Sequence, residues 1–155
     1  APAPMRLERS VLPTDPPTIV INDAYNANPG SMRAALGVLG AEPASAGRRV
    51  AILGDMLELG DLGPRAHREV LEAAHDAGID AIGTLGPLFA QAAADLGVSV
   101  HAEPGSDDGA VERVCALVRP GDTVLLKGSR GLRLERAAAV LAARAGRAGV
   151  GAEAR

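Results

Sequence analysis

A chain of 155 residues, 47% of them hydrophobic, is long enough for one packed domain and too short for two full ones. Its formal net charge of -3, without any block of like charges, speaks against a nucleic-acid-binding face. No apolar run approaches the roughly 18 residues that cross a bilayer, and the N-terminus lacks a signal-peptide pattern, so a cytoplasmic setting without membrane contact is expected. Aromatics make up only 1%, so the core must come from Val, Leu, Ile and Ala, and Tyr25 and Phe89 become informative.

Ala1-Pro2-Ala3-Pro4 reads as a linker, with a domain over 5–145 and a flexible Gly/Ala/Arg-rich tail over 146–155; the whole is expected to be a piece of a longer protein. Two β-prone stretches, Met5 to Val11 and Thr18 to Asn22, flank the turn-rich Pro13-Thr14-Asp15-Pro16-Pro17 and predict an antiparallel pair at a sheet edge. Ser31 is the expected N-cap of a helix whose apolar face is Met32, Ala35, Leu36 and Leu39. Gly40 to Gly47 is expected as a surface loop before a strand at Val50 to Leu53. Ala66, Val70, Ala73, Ala74 and Ala77 trace the next helix face, closed by Gly78, ahead of a strand at Ala81 to Thr84.

Phe89, Ala92, Ala93 and Leu96 form a third face, ended by Gly97, and Val98 to Val100 is the next expected strand. Asp108 is the expected cap of a helix bearing Val111, Val114, Cys115 and Val118, with Cys115 a small core residue. A strand at Thr123 to Leu126 and a helix with Leu134, Ala138 and Leu141 complete the pattern. Strand and helix thus alternate, and most strand runs are too continuously apolar to be half-exposed. This predicts an α/β, doubly wound, Rossmann-like fold: a mostly parallel sheet of about six strands, one antiparallel edge strand, and helices on both faces.

In such sheets ligands bind beyond the carboxyl ends of the strands. There the sequence places Asp23, Tyr25, Asn26 and Asn28, then Gly54-Asp55-Met56, then Gly86-Pro87, and last Lys127-Gly128-Ser129-Arg130. Asn26-Ala27-Asn28-Pro29-Gly30 reads equally as a plain turn into a helix, and Gly54-Asp55 as a plain βα turn. His67, alone near a helix start, reads as a surface or capping residue, and His75 and His101 have no metal-ligand spacing, so no metal site is expected. Lys127 is the one lysine beside fifteen arginines. A compact ammonium at a strand end fits a point contact to a phosphate or carboxylate; placed at the cleft and not in the core, it should matter little to stability. There is no G-x-x-x-x-G-K-[ST] phosphate loop, and no G-x-G-x-x-G follows the first strand.

The stretches "NDAYNANPGSMRAAL" (Asn22 to Leu36), "VAILGDMLELG" (Val50 to Gly60) and "VLLKGSRGLRLERA" (Val124 to Ala137) resemble, in order and spacing, the C-terminal domain of the Mur ligases. The resemblance runs from Met5 to Leu141. It implies a three-domain, ATP-dependent cytoplasmic ligase of peptidoglycan synthesis, whose central domain carries the phosphate loop and the magnesium ligands missing here. The members it resembles most join D-alanyl-D-alanine to UDP-MurNAc-tripeptide: ATP phosphorylates the tripeptide carboxylate, the dipeptide amine attacks the acyl phosphate, and phosphate leaves. The implied partners are those two substrates and the N-terminal and central domains of the same chain; the fragment alone is expected to be inactive.

Carried over by position, the resemblance makes Asp23 the acceptor of the ATP ribose hydroxyls, with Tyr25 and Asn26 beside the nucleotide and Arg6 on its terminal phosphate. Asn28, Lys127, Ser129 and Arg130 fall to the substrate cleft, with Lys127 the catalytic residue, in a cationic loop that steadies developing negative charge. His67 matches a family position without an assigned role. A Mur-type ligase adding a different amino acid is the alternative, of which the diaminopimelate-adding member is disfavoured because its Asp-Asn-Pro-Arg pattern is missing. A non-catalytic small-molecule-binding α/β domain accounts for the fold but not for three ordered motifs.

Overall fold

The computed structural model describes residues 6–43 and 47–153, so the proposed linker at 1–4 lies outside the described residues. Six strands form one sheet: β1 (Glu8–Leu12), β2 (Thr18–Asn22), β3 (Arg49–Gly54), β4 (Ala81–Leu85), β5 (His101–Glu103) and β6 (Thr123–Lys127). Their spatial order is β1-β2-β6-β3-β4-β5, with β1 antiparallel to β2 and every other pairing parallel. The helices are α1 (Pro29–Gly40), α2 (Gly63–Asp76), α3 (Pro87–Leu96), α4 (Asp108–Cys115) and α5 (Glu135–Glu153). The doubly wound fold expected from the alternation is the fold observed.

The apolar runs explain the layering. Along each central strand, side chains alternate between faces. Ile21, Ala51, Leu53 and Leu125 pack with α1, α2 and α3, while Val20, Val50, Ile52, Val124 and Leu126 pack with α4 and α5. Strands β3 and β6 are covered on both faces, so their sequences, RVAILG and TVLLK, do not alternate. The chain steps from β2 to β3, β4 and β5 in one direction and then returns to β6. Parallel crossovers are right-handed, so the forward steps put three helices on one face and the return puts α4 on the other.

Four boundaries differ from the sequence expectation. Ser31 is not the cap of α1: Asn28 is, its Oδ1 accepting from Ser31 N at 2.9 Å while Ser31 Oγ accepts from Asn28 N at 3.1 Å. Asp107, one residue before Asp108, caps α4 through Ala110 N at 2.8 Å. Strand β5 begins at His101, because Val98 N still closes the end of α3 on Ala93 O and the next residues are used in crossing to the sheet edge. Helix α5 continues past Gly146 to Glu153; Leu134 just before it and Ala137, Leu141 and Ala145 on it are buried, and the expected Ala138 packs partly buried against them. Cys115 is a core residue, as expected, and burial pushes its thiol up to about 12.

Candidate functional site

Strand β6 is followed by a helix on one face of the sheet, and its neighbours β2 and β3 by helices on the other. Both crevices flanking the carboxyl end of β6 are therefore topological switch points, the usual ligand position in this architecture. Backbone fills one of them. Between β3 and β6, a Cβ on Gly128 would sit 2.9 Å from Gly54 Cα, and one on Gly54 would sit 2.7 Å from Leu132 Cδ1. Ser129 N donates to Asp55 O at 3.2 Å across the same gap.

The crevice between β2 and β6 is open. It is a cleft of about 480 Å³ whose polar lining is Arg6, Asp23, Tyr25, Asn26, Asn28, Ser31 and Lys127. Asp23 N donates to Leu126 O at 2.9 Å, which continues the β2–β6 ladder and aims the Asp23 side chain across the crevice. Its Oδ2 lies 2.8 Å from Lys127 Nζ, and its Oδ1 accepts from Leu7 N at 3.3 Å. Lys127 Nζ also donates to Asn26 O at 2.9 Å and, at 3.5 Å, to Asp23 O. Contrary to the expectation of a cleft lysine outside the core, its side chain is only 3% exposed. A sheet strand covered on both faces buries nearly all of its terminal side chain even at the cleft wall, and the ammonium is tolerated because acceptors surround it.

Tyr25 stands at the rim with two cations over its ring: Arg6 Cζ at 4.3 Å from the centroid and Arg130 Cζ at 4.2 Å. Arg6 enters from before β1 and Arg130 from after β6, so one ring gathers cations distant in sequence. The capped N-terminus of α1 opens on the same cleft, with no acidic side chain in its first turn to offset its partial positive charge. Ala34, Ala35 and Val38 of α1 add an apolar wall. Sequence reasoning missed Leu7, Ala34 and Val38; the signal for the last two is an apolar i, i+4 pair off the core stripe of α1.

Three of the remaining sequence candidates, Ser129, Asp55 and His67, lie on the filled side. Ser129 is buried, and its Oγ accepts from Leu57 N at 2.8 Å, so its hydroxyl holds the loop after β3 and does not line the cleft. Asp55 is also buried, with Oδ2 accepting from Leu88 N at 2.8 Å and Oδ1 from Phe89 N at 2.9 Å at the start of α3. His67 is not a surface residue: it is fully buried, its Nε2 accepting from Met56 N at 2.9 Å and its Nδ1 facing Gly63 O at 2.6 Å. Asn28 lines the cleft, though its Oδ1 is engaged in the α1 cap.

A family model described as "Mur ligase, glutamate ligase domain" matches residues 5–130. The chain belongs to the Mur ligase family. This Mur ligase domain is 39% identical over 137 residues to the UDP-N-acetylmuramoyl-tripeptide–D-alanyl-D-alanine ligase of Bacillus subtilis, a match covering 84% of the chain and 29% of that relative. Among solved structures, MurF from Acinetobacter baumannii superposes with a TM-score of 0.76 at 32% identity, covering 92% of this chain and 30% of that one. MurF ligase from Thermotoga maritima, solved in complex with ADP, shares the fold at 21% identity and a TM-score of 0.74, covering 94% of this chain and 32% of that one. The Mur ligase domain therefore spans about a third of the length of the relatives it matches.

Proposed function

We propose that this domain is the C-terminal, nucleotide-contacting part of an ATP-dependent cytoplasmic amide ligase that joins D-alanyl-D-alanine to UDP-MurNAc-tripeptide in peptidoglycan synthesis. The names of the relatives support the reaction. The observation that carries the nucleotide role is the single open switch-point crevice, where the Asp23 carboxylate, the Tyr25 ring with its two guanidiniums and the α1 N-terminus converge. Those groups suit a nucleotide. A carboxylate accepts from a ribose diol, the apolar strip of Ala34, Ala35 and Val38 suits the face of a base, and Arg6 and the helix terminus favour phosphate oxygens. Arg130, exposed over Tyr25, is the cation best placed to meet an acyl phosphate or the dipeptide carboxylate as the rest of the protein closes on the cleft.

Among the described residues, no group of three His, Cys, Asp or Glu could hold a metal ion. In this reading magnesium arrives with the ATP phosphates, and its protein ligands, like the phosphate loop, belong to the central domain. Among the described residues, no helix is long and apolar enough to cross a membrane.

The test uses the full-length ligase with both substrates. Asp23→Ala is expected to raise KM for ATP by one to two decades, since a hydrogen bond to a charged group is worth about 1.5–3 kcal/mol. KM for D-alanyl-D-alanine should change little. An unchanged KM for ATP in a folded variant would mean that the loop after β2 is only a turn.

A further inference from the structure

The Lys127 ammonium has three protons, and three oxygens of the loop after β2 receive them: Asp23 Oδ2 at 2.8 Å, Asn26 O at 2.9 Å and, more distantly, Asp23 O at 3.5 Å. With a side chain 3% exposed, the ammonium has no proton left to offer a phosphate or carboxylate from solution; such a ligand would have to displace a partner already in place. The Asp23 carboxylate is 13% exposed and, though bonded to Lys127 and Leu7 N, keeps free lone pairs toward the cleft. Lys127 is therefore the buried partner of the pair, and Asp23 the one that reaches the cleft.

We propose that Lys127 is a positioning residue for nucleotide recognition, not a catalytic group. It clamps residues 23–26 to the end of β6, fixes the Asp23 carboxylate toward the ribose hydroxyls, and neutralises a charge that would otherwise repel a polyphosphate. The inference rests on the reading of Asp23 as the ribose acceptor given above. It also accounts for lysine in a chain otherwise built with arginine. Three acceptors converge on one point, which a tetrahedral ammonium can satisfy and a planar guanidinium fork cannot.

The distinguishing readout is sugar discrimination: kcat/KM for ATP divided by kcat/KM for 2′-deoxy-ATP and for 3′-deoxy-ATP, measured on the full-length ligase. Asp23→Asn should lower one or both ratios about tenfold, the scale of one hydrogen bond to a charged group. Lys127→Met should lower the same ratio by a similar factor, with the loss in KM for ATP and kcat at saturating ATP within a few-fold of the parent. The double variant should match Asp23→Asn alone, because a residue that acts through another has no separate effect once that partner is gone.

If Asp23→Asn lowers the ratio and Lys127→Met leaves it intact while kcat collapses, Lys127 touches the reacting groups and the inference is overturned. An unchanged ratio in Asp23→Asn removes the ribose reading and this inference together. Circular dichroism melts accompany each variant. Should Lys127→Met fail to fold, the double variant decides, since it removes both charges and keeps the space filled: a ratio and kcat equal to those of Asp23→Asn support the inference, and a further tenfold fall in either overturns it.

Discussion

His67 lies one turn into α2, with its ring edge-on to Phe89 at 4.5 Å between centroids. Because the Met56 N–H can only donate, Nε2 accepts, and Nδ1 carries the hydrogen given to Gly63 O. The imidazole thus ties the loop after β3 to the first turn of α2 with both nitrogens satisfied. Its Nε2 is also 3.8 Å from Asp55 Oδ1, so it flanks the carboxylate that starts α3 without sharing a hydrogen with it. His67→Ala should leave the buried Met56 N–H unpaired beside a void, and lower folding stability by about 3 kcal/mol. Urea denaturation measures this. A loss near that of an exposed histidine would mean that the loop holds itself.

Among the elements, α3 has an unusual start. Its own N-cap, Gly86, offers no side chain, and Asp55 from the end of β3 supplies both acceptors instead. A carboxylate at a helix N-terminus also meets the positive end of the helix dipole. The arrangement requires glycine: φ at Gly86 is +115°, and a Cβ there would lie 2.3 Å from Asp55 Cγ. Gly86→Ala should cost about 3 kcal/mol through strain and displacement of the carboxylate, and Asp55→Ala about 2 kcal/mol through the lost cap. Removing the carboxyl group also removes the clash, so the double variant should be distinctly less destabilised than the sum. Strict additivity in a double-mutant cycle would refute the shared origin.

For the molecule as a whole, each edge of the sheet carries an arginine–glutamate pair. On the β1 edge Arg9 binds Glu42, and on the β5 edge Arg113 binds Glu103, which His101 also contacts at 2.8 Å. Arg9 holds the Glu42 carboxyl below its ordinary range, and Arg113, aided by His101, does the same for Glu103, in each case against the opposing effect of burial. A carboxyl depressed in the folded state contributes stability that is present above its unfolded value of about 4.3 and lost as pH falls through the folded value. Melting temperature should therefore fall as pH is lowered below about 4, and the slope should flatten in Glu42→Gln/Glu103→Gln. An identical acid slope in that variant would assign the loss to other carboxylates. The amino end of the sheet carries a purely structural cluster, where the buried Asp122 accepts from Arg48 N, Arg119 N and the Arg48 guanidinium.

Much of this was legible in the residues themselves. The unbroken apolar runs of β3 and β6, the 3.6-residue spacing on α1, α3 and α4, and the polar cluster around Asp23 are local patterns, and local patterns decide which elements form and which sheet edge carries chemistry. What they could not decide is which groups meet. Whether Lys127 faces water or Asp23, whether His67 is outside or under the loop at Met56, and whether Ser129 reaches the cleft or Leu57 all depend on partners 11 to 104 positions away. The choice between the two crevices flanking β6 turned on Gly54 and Gly128 coming into backbone contact. Burial and ion pairing are properties of convergence in space, and that convergence was set by the order in which β6 inserts between β2 and β3.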